Sequence, residues 1–238
     1  MIRLDKLLSH AGFGSRTQVK ELIKKGRVAL DGAVCRDSSR NVELEAVTVD
    51  GKPVHVASSY HLMMYKPSGV VTAADDPKQK TVMDLLPEKY LKNGCMPVGR
   101  LDKDTTGLLI LTTDGELAHR LISPTRHVQK IYEAATREAL KQEDVSAFEK
   151  GIPLKDFTAL PASLEIVEEH FARVTVFEGK YHQVKRMFLA CGNEVVKLHR
   201  ATFGPLQLDE HLAPGLFREL SDEEVDKLYL AAGLERKE

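Results

Sequence analysis

Residues 108–111 read Leu-Leu-Ile-Leu. They lie between a polar loop, Gly99-Arg100-Leu101-Asp102-Lys103-Asp104-Thr105-Thr106-Gly107, and the turn sequence Thr112-Thr113-Asp114-Gly115. A short apolar run bounded by turn residues reads as a buried strand, and a buried strand fixes the loop that feeds it at the rim of a cleft. Two carboxylates, Asp102 and Asp104, are thereby expected in one rigid loop. The residues alone leave their chemistry open: an acid/base pair, magnesium ligands, or solvated side chains that hold the turn through Asx hydrogen bonds.

The rest of the chain excludes several classes. Of 238 residues, 42% are hydrophobic and 29% charged, an ordinary globular composition long enough for one large domain or two modest ones. No run approaches the roughly 18 apolar residues of a membrane span, and the opening MIRLDKLLSH carries charges where a signal peptide is apolar. Cys35, Cys95 and Cys191 are odd in number and in no metal-ligand pattern, so three free thiols in a reducing compartment, the cytoplasm, are expected.

A net charge of −1 hides a segregation. Residues 1–40 carry nine Lys+Arg against four Asp+Glu, and residues 205–238 carry four against nine. The basic front has a readable plan. Leu4, Leu7, Leu8 and Ala11 form one helix face that stops at Gly12-Phe13-Gly14. Ser15 and Gln18 form a capping box, Val19, Leu22 and Ile23 face inward, and Gly26 ends the second helix. Val28–Leu30 and Ala33–Cys35 then flank Asp31-Gly32, which suits a type I′ hairpin. Arg16, Lys20 and Lys24, at i, i+4 and i+8, make a cationic ridge with Lys25 and Arg27 at its end, a pattern that points to nucleic acid.

The stretch His55–Tyr60 reads as a linker, with the domain boundary near residue 58. Beyond it, strands are expected at 61–65, 70–72, 108–112, 130–134 and 172–177, and helices at 82–86, 116–122, 143–150, 184–191 and 222–232. The fold class is therefore α+β: a small αα-hairpin domain over 1–58, then a larger domain over 59–238 built on a mixed or mainly antiparallel sheet.

Two resemblances make this reading specific. Arg3-Leu4-Asp5-Lys6-Leu7-Leu8, Ser15-Arg16, Leu22-Ile23 before Gly26, and Val28 ahead of Asp31-Gly32 resemble the S4-type RNA-binding module. This implies contact with structured RNA, in which Arg3, Lys6, Arg16, Lys20, Lys24 and Arg27 would meet phosphates. The loop 99–107 resembles the catalytic motif of pseudouridine synthases, an Arg-Leu-Asp triplet followed by Asp-Thr-x-Gly and a buried strand. Lys66-Pro67-Ser68-Gly69, Lys130-Ile131-Tyr132 and Glu178-Gly179-Lys180-Tyr181-His182-Gln183-Val184-Lys185-Arg186-Met187-Phe188 agree with that family in the same order. The last of these, with Gly192-Asn193 and Leu198-His199-Arg200, is most similar to the RsuA branch, which acts on 16S (small-subunit) ribosomal RNA. One departure is Tyr65, where the family usually has Asn before Lys-Pro.

The resemblance implies that the N-glycosidic bond of one uridine is cut, the base rotated and rejoined through carbon, with no cofactor and no metal. Asp102 is then the nucleophile and Lys185 the cation that favours its charged form. Tyr132 is the tyrosine that stacks on the target base. A base must leave its stack to reach a buried carboxylate, at a cost of a few kcal/mol. Arg100 matches a position that enters the vacated space, and Lys180, Arg186 and Arg200 are candidate phosphate ligands. Asp104, Thr105, Thr106 and Gly107 are expected to scaffold the loop. The implied partner is ribosomal RNA, 16S RNA in a small-subunit assembly intermediate, met by a monomer away from any membrane. The residues also admit a large-subunit synthase, a non-catalytic ribosome-binding protein, a metal-dependent nuclease using Asp102, Asp104 and Asp114, and a DNA-binding regulator.

Overall fold

The computed structural model describes residues 2–11, 13–43, 47–54 and 59–236. Its contacts divide into two compact units, residues 1–59 with 88–94, and residues 60–87 with 95–238. The expected linker falls mostly on residues 55–58, and the boundary at 58 and the stop at Gly12 also lie outside the described residues.

In the first unit, β1 (Ile2–Arg3) leads into α1 (Leu4–His10) and α2 (Arg16–Lys24), followed by β2 (Val28–Leu30), β3 (Ala33–Val34), β4 (Asn41–Val42), β5 (Val47–Val49) and β6 (Lys52–Pro53). The local signals act as written in the sequence. Gln18 N donates to Ser15 Oγ at 3.4 Å and Ser15 N to Gln18 Oε1 at 2.8 Å, a complete capping box. Asp31 and Gly32 both take positive φ, as a type I′ turn requires. Leu4, Leu8, Val19, Ile23 and Val28 meet in one core with no exposure.

The second unit contains β7 (His61–Lys66), then, after the helix α3 (Glu88–Lys92) that groups with the first unit, β8 (Met96–Pro97), β9 (Thr106–Thr112), α4 (Gly115–Ile122), β10 (Lys130–Thr136), α5 (Gln142–Lys150), β11 (Ser163–Glu168), β12 (Phe171–Val176), α6 (Gln183–Ala190), β13 (Val195–Phe203), β14 (Leu206–Gln207), β15 (Phe217–Glu219) and α7 (Asp222–Ala232). The main sheet runs β11-β12-β10-β13-β9-β7-β15. Every neighbour along that path is antiparallel except β13 and β9, which pair in parallel at His199/Thr106 and Arg200/Gly107. The architecture is thus the α+β arrangement with a mixed, mainly antiparallel sheet. Leu108–Leu111 has zero exposure, and on one face Leu108 and Ile110 share a core with Leu117 and Leu121 of α4 and Leu228 of α7.

Some expected elements differ. Residues 70–72 form only a bridge, Val71 to Thr81, and 82–86 contracts to one 3₁₀ turn, Met83–Leu85. β13 was not expected at all, because Arg200 occupies a buried register position where alternation calls for an apolar side chain. Gly107 takes φ +112°, and a Cβ there would lie 2.3 Å from the Arg200 carbonyl oxygen. Close approach of β13, rather than a turn, is what this glycine permits.

Candidate active site

Loop 101–105 is held by polar bonds from Lys66, Gly69 and Thr72. Thr72 Oγ1 donates to the Leu101 carbonyl at 2.9 Å and accepts from Leu101 N at 3.2 Å; Gly69 N donates to the Lys103 carbonyl at 2.8 Å. Lys66, at the end of β7, has no exposure, and its Nζ donates to the carbonyls of Pro67, Lys103 and Thr105 at 3.1, 3.3 and 2.9 Å. Three carbonyl oxygens satisfy all three ammonium donors. Burial brings Lys66 down to about 8, with Asp104 and Asp102 opposing the shift. Thr72 and Lys66 went unassigned in the sequence reading, and the signal for Lys66 was a lysine ending the buried run Leu62-Met63-Met64.

On this anchored loop Asp102 is a quarter exposed, and two side chains from one segment face it: His182 Nε2 stands 3.4 Å from one oxygen and Lys185 Nζ 3.6 Å from the other. Lys185 lies in the first turn of α6 and is closer still to Asp104, at 2.5 Å. That hydrogen bond holds the Asp104 carboxyl below the usual carboxylate range. Asp104 itself is 72% exposed, and besides a backbone hydrogen bond within its own loop it bonds Lys185, 81 residues away.

The segment that carries His182 is fixed at both ends. Buried Glu178 accepts from Leu160 N and Gln183 Nε2, both at 2.8 Å, and Gln183 Oε1 accepts from Lys180 N at 3.0 Å. His182 is held in the left-handed region, φ 48° and ψ 29°, a conformation that costs a non-glycine residue free energy.

Loop and segment form walls of a cleft of about 500 Å³, within the range of small-molecule sites. Tyr132, Lys130, Arg200 and Phe203 also line it. Tyr132 is 8% exposed and pairs with Arg200 across β10 and β13; Arg200 Nη1 reaches its hydroxyl at 3.5 Å. Lys130 donates to the Val128 carbonyl at 2.8 Å and is brought to about 8 by burial. Asp102, Tyr132 and Lys185 are therefore brought together around one cleft, Lys185 through its ion pair with Asp102.

The candidate RNA-contacting cations divide. Arg200 is 3% exposed and its Nε donates to the Leu108 carbonyl at 2.8 Å, so it is a buried support beneath Tyr132 rather than a surface phosphate ligand. Arg186 pairs with Asp156, and Lys180 Nζ stands 4.0 Å above the Phe157 ring and 3.7 Å from Glu178. Arg100 is exposed at the cleft. In the first unit, Arg3 pairs with Asp5 and Arg27 with Asp50. Lys6, Arg16, Lys20 and Lys24 are exposed and, among the described residues, engage no carboxylate. His199 donates or accepts at Thr106 Oγ1, 2.9 Å away, packs edge-on to Tyr65 and is lowered by burial, which fits a structural histidine. Among the described residues no helix is long and apolar enough to cross a membrane.

Comparison with known proteins agrees with this geometry. Residues 60–190 match the family described as RNA pseudouridylate synthase, and residues 2–47 match the S4 domain. The chain is 45% identical over 234 residues to the uncharacterized RNA pseudouridine synthase YtzG of Bacillus subtilis (strain 168), covering 95% of this chain and 98% of that one. It is 39% identical over 229 residues to the ribosomal small subunit pseudouridine synthase A of Escherichia coli (strain K12), covering 94% and 98%. A solved crystal structure of a pseudouridylate synthase superposes with a TM-score of 0.68 at 34% identity, covering 96% of this chain and 100% of that one. With an S4 domain in front and the sheet, loop and cleft above behind it, the chain belongs to the RNA pseudouridylate synthase family.

Proposed function

We propose that this enzyme converts one uridine of small-subunit ribosomal RNA to pseudouridine, with Asp102 as the nucleophile. The observation that carries the reading is the placement of Asp102: a carboxylate on a loop tied down by four hydrogen bonds from Lys66, Gly69 and Thr72, at the wall of a cleft of about 500 Å³, with Lys185 beside it. The small-subunit relatives at about 40% identity over nearly the whole chain supply the substrate class.

The reaction breaks the bond from N1 to the ribose C1′ and forms one from C5 to C1′; the C5 hydrogen leaves as a proton and N1 gains one. An ionised Asp102 supplies the nucleophile that covers the carbon left electron-poor, whether it attacks sugar or base. Lys185 favours that charge. Tyr132, on the cleft lining, offers a flat face to the extruded base, and Arg200 behind it fixes the ring. Arg100, exposed at the rim, is suited to enter the space the base vacates. Lys6, Arg16, Lys20 and Lys24 are suited to phosphates, and unflipping is opposed by such contacts. We take the substrate to be 16S RNA in a small-subunit assembly intermediate, met in the cytoplasm, a reading that the small-subunit relatives support. One chain carries both the RNA module and every proposed site residue, which supports a monomer.

A nuclease that uses Asp114 together with Asp102 does not fit. Asp114 caps α4 and bonds Tyr229, at the far end of β9, and seven strand residues span roughly 20 Å.

The test is release of tritium from 5-tritiated uridine in small- and large-subunit ribosomal RNA, naked and partly assembled, with EDTA present. Wild type is expected to release it from the small-subunit RNA, and Asp102→Asn to lose at least about 10⁴-fold in rate, the scale seen when a covalent-catalysis group is removed, while RNA affinity holds within severalfold. Release from large-subunit RNA alone would reassign the substrate. RNA binding without release from any sample would make the chain a binding platform, and an active Asp102→Asn would remove Asp102 from its role.

A further inference from the structure

We propose that Tyr181 is a stacking seat for a second nucleobase, the neighbour of the target uridine in the RNA strand. The proposal rests on the reading of the cleft as the uridine site. Tyr181 is 68% exposed, yet its ring lies parallel to the His182 imidazole, 3.8 Å between centroids and 17° between planes. His182 in turn stands 3.4 Å from Asp102. Imidazole and phenol thus form a two-layer stack that starts at the carboxylate and ends in solvent. Among the described residues no further ring packs on Tyr181, and Tyr181 lines the same cleft as Asp102.

Three features indicate that this is a built surface rather than a stray exposed side chain. The left-handed backbone of His182 is what turns two successive side chains onto one side, and it is retained despite its cost. The segment is clamped by Glu178 and Gln183, so the stack is preorganised. Lys180 precedes Tyr181 in sequence and Arg186 Nη1 donates to the Tyr181 carbonyl at 3.4 Å, and both cations stand over the Phe157 ring, 4.0 and 5.1 Å from its centroid, which puts two cations beside the segment that carries the exposed ring. An aromatic ring with adjacent cations is the chemistry that binds single-stranded nucleic acid, and it tolerates any base because each has a π-face. When a uridine is extruded, the base beside it loses a stacking partner. A ring two layers out from the nucleophile can replace that partner.

The chain has no tryptophan, so Tyr181→Trp introduces a single indole reporter. In an Asp102→Asn background, which stops turnover, titration with small-subunit ribosomal RNA is expected to quench that indole. An indole placed by Leu189→Trp, exposed on α6 outside the cleft lining, is expected to keep its emission. In the active enzyme Tyr181→Ala should raise KM about five- to a hundredfold, the worth of one base–aromatic stack, with kcat within about threefold, and Tyr181→Phe should restore KM. An unquenched indole on RNA-bound protein would overturn the proposal. So would a Tyr181→Ala variant with wild-type KM, or one whose loss is in kcat alone, which would mark a support for His182. If wild type itself releases no tritium, the reaction assigned to the cleft fails, and the quench still decides the stacking seat.

Discussion

The ridge on α2 of the first unit and the cleft of the second treat their cations in opposite ways. On α2 of the first unit, Arg16, Lys20 and Lys24 are exposed and engage no carboxylate among the described residues. In the second unit, Lys66 is bonded to three carbonyls, Lys130 to one, Lys185 to Asp104 and Asp102, Arg186 to Asp156, and Arg200 to a carbonyl and Tyr132. Side chains that look alike in the sequence thus do different work. A cation fixed by partners organises a loop or holds a charge in place, whereas an unpaired one keeps the counterions that it can release on meeting phosphate. Removing members of each set should therefore change different observables.

The largest effect is expected from Lys185→Met. It removes the cation beside Asp102 and unties Asp104 in one step. Loss of one fixed electrostatic partner costs about 10²–10³ in kcat, and RNA affinity should change by less than about threefold, because Lys185 is only 22% exposed and committed to carboxylates. A Lys185→Met variant with wild-type kcat would remove Lys185 from this role, and a loss carried by KM alone would make it an RNA-contacting group instead.

Lys66→Met comes next, and it tests a cation that holds backbone. Its three carbonyls lose their donor, at about 1–3 kcal/mol for each that stays dry. Relief of the buried charge offsets part of this, so a net loss of roughly 2–4 kcal/mol is expected in urea unfolding, with kcat falling because the Asp102 loop loosens. The pH dependence has a definite sign. Folded Lys66 titrates near 8 against an ordinary 10.5, so between those values this group holds more protons in the unfolded chain and contributes a rise in stability with pH. Lys130 has the same shift for the same reason, burial. Lys66→Met should lower the slope of stability against pH between about 8 and 10; an unchanged slope would show that burial does not lower the Lys66 titration in the folded protein.

This division was only partly legible in the sequence, and the reason is range. The capping box of Ser15 and Gln18, the Asp31-Gly32 turn and the limits of α7 depend on neighbours a few residues away, and each was readable. The Leu108–Leu111 strand was readable because a strand buried on both faces leaves an unbroken apolar run. What was hidden depends on distant partners. Lys185 finds Asp104 across 81 residues, and Gly107 is required by the Arg200 backbone on a strand whose own pattern is masked by that arginine. For the site, motif resemblance found Asp102, Tyr132 and Lys185, whose placement around one cleft the structure shows; it gave no hint of Lys66 as the loop's anchor or of His182 as Asp102's second neighbour.

The smallest effect on chemistry, and the sharpest on the comparison, should come from replacing Arg16, Lys20 and Lys24 together with glutamine. All three are exposed and none contributes to the core of Val19 and Ile23, so the unit should keep its fold. Each phosphate contact contributes about 0.7–0.9 to the slope of log affinity against log salt. If all three meet phosphate, the slope should fall by about 2–3 and affinity at 50 mM salt should drop by one to two orders of magnitude. The rate at saturating RNA should stay within about twofold, since none of these residues touches the cleft. Lys185→Met is expected to show the reverse, a lost rate with an unchanged salt slope. A triple variant that keeps its slope would mean that the ridge on α2 is solvated in the complex as well, and that the phosphate contacts fall to Lys6 or to the cations of the second unit. A triple variant that loses rate at saturation would break the comparison itself, because unpaired cations would then be acting on the chemistry.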